Sequence, residues 1–143
     1  MEYNEENRGT IQYKDRARQL IDYHNMRLPY NITPTDSDGE IEFRDKAWVF
    51  FEIKQKGKGL PEGQSLAFQR KINDIERGGK EAVLFVAEHD VMDPEIDIDA
   101  AVCYVRTFFY KGEWHDGNGW NLKEYVSSFL KHIEPPSFME ATT

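Results

Sequence analysis

The sequence predicts a mixed α/β fold, in the α+β sense of a mixed sheet flanked by helices. Short runs rich in Val, Ile and aromatic residues, such as 47–54 and 82–87, are typical of strands. Longer stretches, such as 64–77, repeat apolar residues at helical spacing. These elements follow one another as helix, strands, helix, strands, helix, an order that favours a layered sheet covered by helices.

The first part of the chain predicts a helix and a hairpin. Residues 10–26 place apolar side chains near one helical face, and Thr10 is a possible N-cap. The alternation in 40–43 predicts a short strand. A polar turn at 44–46 then leads into a strong strand at 47–54.

The second part predicts two further helices and two strands. Residues 64–77 form an amphipathic helix that a glycine pair ends. The continuous apolar run 82–87 predicts a buried strand, and residues 100–110 predict another. Asn121 can cap a last helix, which we expect to end at Ile133.

The net charge of −8 is unevenly distributed. We expect one domain at 10–133, with flexible acidic tails at 1–9 and 134–143. Within the domain, 54–80 contains seven Lys and Arg against three Asp and Glu, whereas 88–99 contains six acids and no Lys or Arg. The overall charge argues against a nucleic-acid coat protein or a binder of anionic membranes, but the basic segment leaves local DNA binding open.

The length of the apolar stretches and the number of cysteines indicate the cellular compartment. No apolar stretch approaches the roughly 18 residues of a membrane span. The sequence starts with polar and acidic residues, so no signal peptide is expected. The single cysteine, Cys103, lies in an apolar run and is expected to be a reduced core residue. These features favour a cytoplasmic protein that does not bind membranes.

Glu52 and Lys54 interrupt the apolar strand 47–54 and share one of its faces. A three-residue turn at 44–46 would place the apolar residues of both hairpin strands on one common face. The same register puts Asp38 opposite Glu52 and Asp36 opposite Lys54. We favour Asp38 as the partner of Glu52 and keep Asp36 as the alternative.

Two carboxylates beside a lysine suit a Mg²⁺ or Mn²⁺ site, because these ions prefer oxygen ligands. Such a metal polarises a phosphoryl oxygen and lowers the pKa of bound water. Lys54 can orient that water or stabilise negative charge that develops on the phosphate. The pattern therefore points to phosphodiester hydrolysis.

The set Asp38, then Glu52-Ile53-Lys54, then a helix beginning with Gln64 resembles the PD-(D/E)XK nuclease superfamily. Over residues 30–88 the sequence is similar to its Holliday-junction-resolvase-like members, the RecU type in particular. The resemblance implies a restriction-endonuclease-like core of αβββαβ order. It also implies that the Ile53 carbonyl is a metal ligand and that Gln64 joins the active site.

We expect a metal-dependent endonuclease that acts on DNA, with branched DNA such as Holliday junctions among its candidate substrates. We expect a homodimer, because cutting two strands needs two sites. The catalytic residues would be Asp38, Glu52, Lys54 and Gln64, and the metal ligands Asp38, Glu52 and Ile53. Contacts to phosphates are expected from basic residues in and after the loop: Lys56, Lys58, Arg70, Lys71 and Lys80. The alternative is a catalytically inactive nuclease-fold protein that serves as a DNA- or protein-binding regulatory module.

Two further patterns have competing interpretations. The three acids in 95–99 could bind Ca²⁺, but a solvated edge strand is favoured because no EF-hand spacing is present. Trp114 and Trp120 flank a glycine-rich turn. They could stack on bases, but packing beneath the last helix is favoured.

Overall fold

The computed structural model describes Asn25, Pro29–Asn31 and residues 38–134. The chain divides into two units, residues 1–35 and 36–143. In the first, Pro29–Asn31 forms a short 3₁₀ turn. The expected helix at 10–26, except for Asn25, lies outside the described residues, as do the tail 1–9 and Asp36.

The described part of the second unit, residues 38–134, contains a five-stranded mixed sheet and two α-helices, which confirms the predicted α+β class. In chain order the elements are β1 (Gly39–Phe43), β2 (Ala47–Gln55), α1 (Glu62–Arg77), β3 (Glu81–His89), β4 (Tyr104–Tyr110), β5 (Glu113–Asp116) and α2 (Leu122–Ile133). The strands lie side by side in the order β1-β2-β3-β4-β5. Only β2 and β3 are parallel, and α1 connects them.

Each face of the sheet packs against one helix. On one face, Phe68 and Ile72 of α1 pack with Phe50 and Leu84. On the other, Phe129 of α2 packs in a core with residues such as Val49, Phe85 and Val105. Each of these large apolar side chains contributes about 1.5–3 kcal/mol when it is fully buried. The two faces are called the α1 face and the α2 face below.

The hairpin register follows from the alternation of apolar residues. Ile41 pairs with Val49 and Phe43 with Ala47, so the turn holds three residues, as predicted. The last helix also begins as expected. The Asn121 side chain accepts a hydrogen bond from the Glu124 N–H, and Glu124 in turn accepts one from the Asn121 N–H. This reciprocal capping satisfies backbone donors at the start of α2.

The segment before β4 departs from the prediction. Residues 90–99 form a loop and no edge strand, and Ala100–Val102 forms a 3₁₀ turn. Acidic side chains cause this by bonding to nearby backbone in place of a neighbouring strand. Asp93 accepts from the Glu95 N–H at 3.0 Å, and Asp99 accepts from the Ala101 N–H at 3.1 Å. Strand β4 therefore begins only at Tyr104.

Two other expectations need correction. Within residues 38–134, two strands and not three precede α1, so the αβββαβ order is not reproduced there. Trp114 lies on the α1 face against Phe109, at a ring distance of 5.3 Å, and not beneath the last helix. Its position follows from its pairing with Phe109, because directly opposed residues of neighbouring strands share a face.

The chain end and the single cysteine compare with their predictions in different ways. Glu134, the first residue of the expected C-terminal tail, forms 3.0 Å ion pairs with Arg44 and Lys46 of the hairpin turn. Residues 135–143 lie outside the described residues. Cys103 is buried, as predicted. In the part of the chain that is described, neither helix has the length and apolar character needed to cross a membrane.

After β5 the chain packs closely against the backbone of β4 at Gly117, and this close contact predicts an effect on stability. A Cβ atom at Gly117 would lie 1.7 Å from the Val105 carbonyl oxygen, and the Gly117 N–H donates to the Arg106 carbonyl at 2.9 Å. Gly117→Ala should lower the free energy of unfolding by about 2–3 kcal/mol, because the backbone must shift. Gly63→Ala is the matched control, since no atom lies within 4 Å of its Cβ position. Urea unfolding checks both, and equal stabilities would contradict this close packing.

Candidate metal and nuclease site

Glu52 is a buried acid at the end of an apolar row. Trp48 and Phe50 precede it on the α1 face of β2, and both pack in the core beneath α1. Because side chains alternate along a strand, Glu52 continues the same row. It is only 1% exposed, and its neighbour on β3 is Val86. A carboxylate in such a place must be partnered or neutralised.

Asp38 reaches Glu52 from the start of the hairpin. The strand pairing ends with Gly39 opposite Phe51, so Asp38 comes directly before it on the side of Glu52. Its Oδ2 accepts a hydrogen bond from the Ile53 N–H at 2.7 Å. The N–H and C=O groups of one strand residue point to the same neighbouring strand. The Ile53 carbonyl therefore faces the side on which Asp38 lies, as a shared metal site requires.

Gln64 and Lys54 complete the cluster. The Gln64 Nε2, in the first turns of α1, donates to Glu52 Oε1 at 2.7 Å. The Lys54 Nζ donates to Gln64 Oε1 at 3.5 Å, a long hydrogen bond. The four predicted catalytic residues thus lie together in one cluster: Asp38, Glu52, Lys54 and Gln64. It lies where β2 ends and α1 begins.

Electrostatics distinguishes Glu52 from an ordinary acid. Burial, followed by the hydrogen bond and the negative charge of Asp38, raises the pKa of Glu52 to about 8, while the Lys54 charge opposes this rise. At neutral pH the metal-free site therefore holds a proton between two acids. A divalent cation can replace that proton, because it satisfies both carboxylates at once.

The donor set fits a Mg²⁺ or Mn²⁺ ion that keeps several waters. The two carboxylates and the Ile53 carbonyl are the oxygen donors. No group of three or more His, Cys, Asp and Glu in the described ranges is arranged to hold a metal ion. Two carboxylates suffice for Mg²⁺, which is commonly bound through one or two of them together with substrate phosphate.

The basic residues expected to contact DNA do not form one surface. Lys56 and Lys58 lie in the loop after β2, beside the cluster, and Arg70 is exposed farther along α1. Lys71 covers the Phe50 ring at 4.6 Å. Lys80 does not lie with them. It precedes Glu81, which pairs with Ala47, and it is ion-paired with Asp45. That places Lys80 about 20 Å along the sheet from Glu52.

Sequence reasoning overlooked a second buried acid, Glu88, which is 6% exposed. It lies beside Lys54 in the β2–β3 register. In the sequence, Glu88 is the first of the six acids in 88–99. The available signal was its position directly after the apolar run 82–87, because a parallel partner of β2 would place it level with Lys54.

The raised pKa of Glu52 predicts a pH-dependent stability of the metal-free protein. Between about pH 4.5 and pH 8 the folded state keeps a proton that the unfolded state loses. The free energy of unfolding should therefore fall as pH rises through this window, by at most about 1.4 kcal/mol per pH unit, the limit for one proton. Urea unfolding in EDTA measures it. Glu52→Gln should flatten this fall, whereas the control Glu113→Gln on β5 should keep it. A wild-type slope in Glu52→Gln would contradict the assignment.

Comparison with known proteins assigns no family to this chain. No family model, no curated protein and no solved structure matches it. The resemblance to PD-(D/E)XK nucleases therefore rests on the site residues themselves, and it stays a prediction.

Proposed function

We propose that this chain is a metal-dependent endonuclease that hydrolyses phosphodiester bonds in DNA, with branched DNA as its substrate class. The observation that carries the proposal is the meeting of Asp38, Glu52, Lys54 and Gln64 at the end of β2. Perturbed carboxyl groups cluster at functional sites. Here the Asp38 side of the pair is exposed, and a lysine and a basic loop lie next to it, which favours a phosphate substrate.

Each residue has a distinct task in this proposal. Asp38, Glu52 and the Ile53 carbonyl would hold Mg²⁺ or Mn²⁺, which when bound supplies charge neutralisation and a more acidic water. Lys54 offers an ammonium group to the negative charge that builds on the phosphate. Gln64 donates to Glu52 Oε1 and so fixes the orientation of that carboxylate. Gln64 also accepts from Lys54, which keeps the ammonium close.

The surroundings determine how DNA would approach. Lys56 and Lys58 follow directly after β2, and Arg70 lies about 9 Å along α1 from Gln64. Contacts from these residues to phosphates would position the strand without reading its sequence. The acidic loop 90–99 follows the carboxyl end of β3, the same end as the cluster, and its Asp90 and Asp99 line a pocket with Lys56. Its charge would repel phosphate on that side of the basic loop. We leave Lys80 out of this interface because it lies at the opposite end of the sheet.

Cleavage of a four-way DNA junction and of linear duplex with Mg²⁺ or Mn²⁺ tests the proposal. The wild type should cut, and EDTA should abolish cutting. Glu52→Gln and Lys54→Ala should each lower the cleavage rate by about 100-fold or more. The first removes a charged metal ligand, and the second removes the ammonium group that would face the phosphate. Gln64→Ala should lower the rate by about 10-fold, since Gln64 only orients Glu52.

Matched controls separate chemistry from folding. Glu113→Gln on β5 and Lys123→Ala on α2 change the same residue types away from the cluster and should cut at the wild-type rate. If the wild type binds DNA but never cuts it with either metal, the endonuclease proposal fails and the regulatory-module alternative replaces it. If it cuts and the cluster variants cut equally well, the site is wrong.

The homodimer remains part of the proposal, because symmetric cleavage of a branch needs two sites. Light scattering after size exclusion should give about twice the 16.8 kDa chain mass. A monomer that still cuts both strands of a junction would contradict it.

A further inference from the structure

A groove lies beside the candidate metal site on the α1 face. Its volume is about 530 Å³, and Val86 and Thr107 line it. Val86 is the β3 neighbour of Glu52, and Thr107 is the β4 neighbour of Val86. Since adjacent strands lie about 4.8 Å apart, the groove begins one strand away from Glu52 and runs across the sheet toward β5. We call it the β3–β4 groove.

A β-bulge directs Arg106 into this groove. Val105 pairs with Ala87 and Thr107 pairs with Val86, so Arg106 is an extra residue with no partner of its own on β3. Val105 packs in the α2-face core, whereas both Arg106 and Thr107 line the groove. Strict alternation would have put Arg106 on the other face from Thr107. Bulges re-aim side chains in this way and are frequent beside active sites.

Glu88 holds the parts of the groove together. Its buried Oε2 accepts from the Gly57 N–H at 3.3 Å and from the Tyr104 hydroxyl at 3.2 Å. Its Oε1 lies 3.8 Å from the Arg106 Nε, although the Arg106 side chain is 66% exposed. Gly57 has a φ of 85°, a conformation suited to glycine, so the loop that carries Lys56 turns sharply there. Glu88 thus connects the basic loop to Arg106.

Trp114 lines the same groove from β5. Its ring rests on Phe109 at 5.3 Å, and 41% of the residue remains exposed. The groove therefore combines two cations, Lys56 and Arg106, with an open indole face. Cations interleaved with an aromatic platform are typical of surfaces that bind single-stranded nucleic acid.

We propose that the β3–β4 groove binds an unpaired DNA segment next to the phosphate that is cut. Lys56 and Arg106 contact its phosphates, and Trp114 stacks on one base. The segment is single-stranded because a base inside a duplex cannot offer its face to Trp114. This inference rests on the proposed nuclease function, and it explains a preference for branched DNA, whose junctions expose unpaired bases.

Binding without cleavage tests the inference. The full chain is titrated in EDTA with a fluorescein-labelled oligothymidine of about ten nucleotides, and anisotropy reports binding. Trp114→Ala should raise the Kd by about 10-fold or more and leave its salt dependence unchanged. Arg106→Gln should raise the Kd by about 5-fold and lower the slope of log affinity against log salt by about 0.7, the value for one lost phosphate contact.

Two control variants make the result specific. Trp120→Ala changes another half-exposed tryptophan, which packs on Tyr125, and Arg77→Gln changes an exposed arginine at the end of α1. Both should bind the oligonucleotide as the wild type does. A labelled duplex of equal length should bind more weakly than the single strand, and Trp114→Ala should not alter its affinity.

The two proposals fail in different ways. If the wild type does not bind oligothymidine, or binds it with unchanged affinity in Trp114→Ala and Arg106→Gln, the groove assignment is overturned even when junctions are cut. A loss of affinity in Trp120→Ala equal to that in Trp114→Ala also overturns it. If both groove variants weaken binding as expected while no DNA is cut, the binding site stands and the nuclease proposal fails.

Discussion

The arrangement of this fold depends on one buried carboxylate. Glu52 lies in the middle of a sheet, in line with Trp48 and Phe50, where an apolar side chain would pack without cost. Its burial is tolerated because three elements bring partners to it. The start of the hairpin brings Asp38, α1 brings Gln64, and β2 itself brings Lys54. The parallel pairing of β2 with β3 places this cluster at the carboxyl ends of both strands, where ligands of α/β sheets commonly bind.

The hairpin and the cluster were predictable because local rules determine them. The period of two along a strand, together with a three-residue turn, allows one register that buries Ile41 and Val49 on a common face. Asp38 then has to lie beside Glu52. The Asn121 cap was predictable for a similar reason, since its partner is the backbone of the same helix turn. Gln64 came from the family resemblance, and its contact with Glu52 depends on how α1 returns along the sheet.

Three features could not be predicted from the sequence: the loop 90–99, the bulge at Arg106 and the position of Trp114. In each, the outcome depends on whether nearby or distant parts of the chain provide the hydrogen-bond and packing partners. The acids of 90–99 looked like an edge strand, but Asp93 and Asp99 bond to backbone two residues away and bend the chain. The bulge at Arg106 has no local sequence signal, because it arises from the fit of β4 between β3 and the segment after β5. Gly117 permits that fit by approaching Val105 without a side chain. The position of Trp114 depends on its pairing with Phe109 across β4 and β5, a contact between strands that the local sequence does not determine.

Two buried acids, Glu52 and Glu88, lie on neighbouring parallel strands, and their partners assign them different roles. Glu88 accepts from a backbone N–H and a tyrosine hydroxyl and lies near a guanidinium group, so its negative charge is already satisfied. Glu52 accepts from the Gln64 amide and from the Asp38 backbone, and it also faces the Asp38 carboxyl group. An acid with a full set of donors holds the loop and Arg106 in place. An acid that faces another acid shares its site with a second carboxyl group, and a cation or a proton can offset the repulsion between them. The difference in donors, and not the shared burial, therefore separates the acid that faces a second acid from the acid that holds the loop and Arg106 beside the groove.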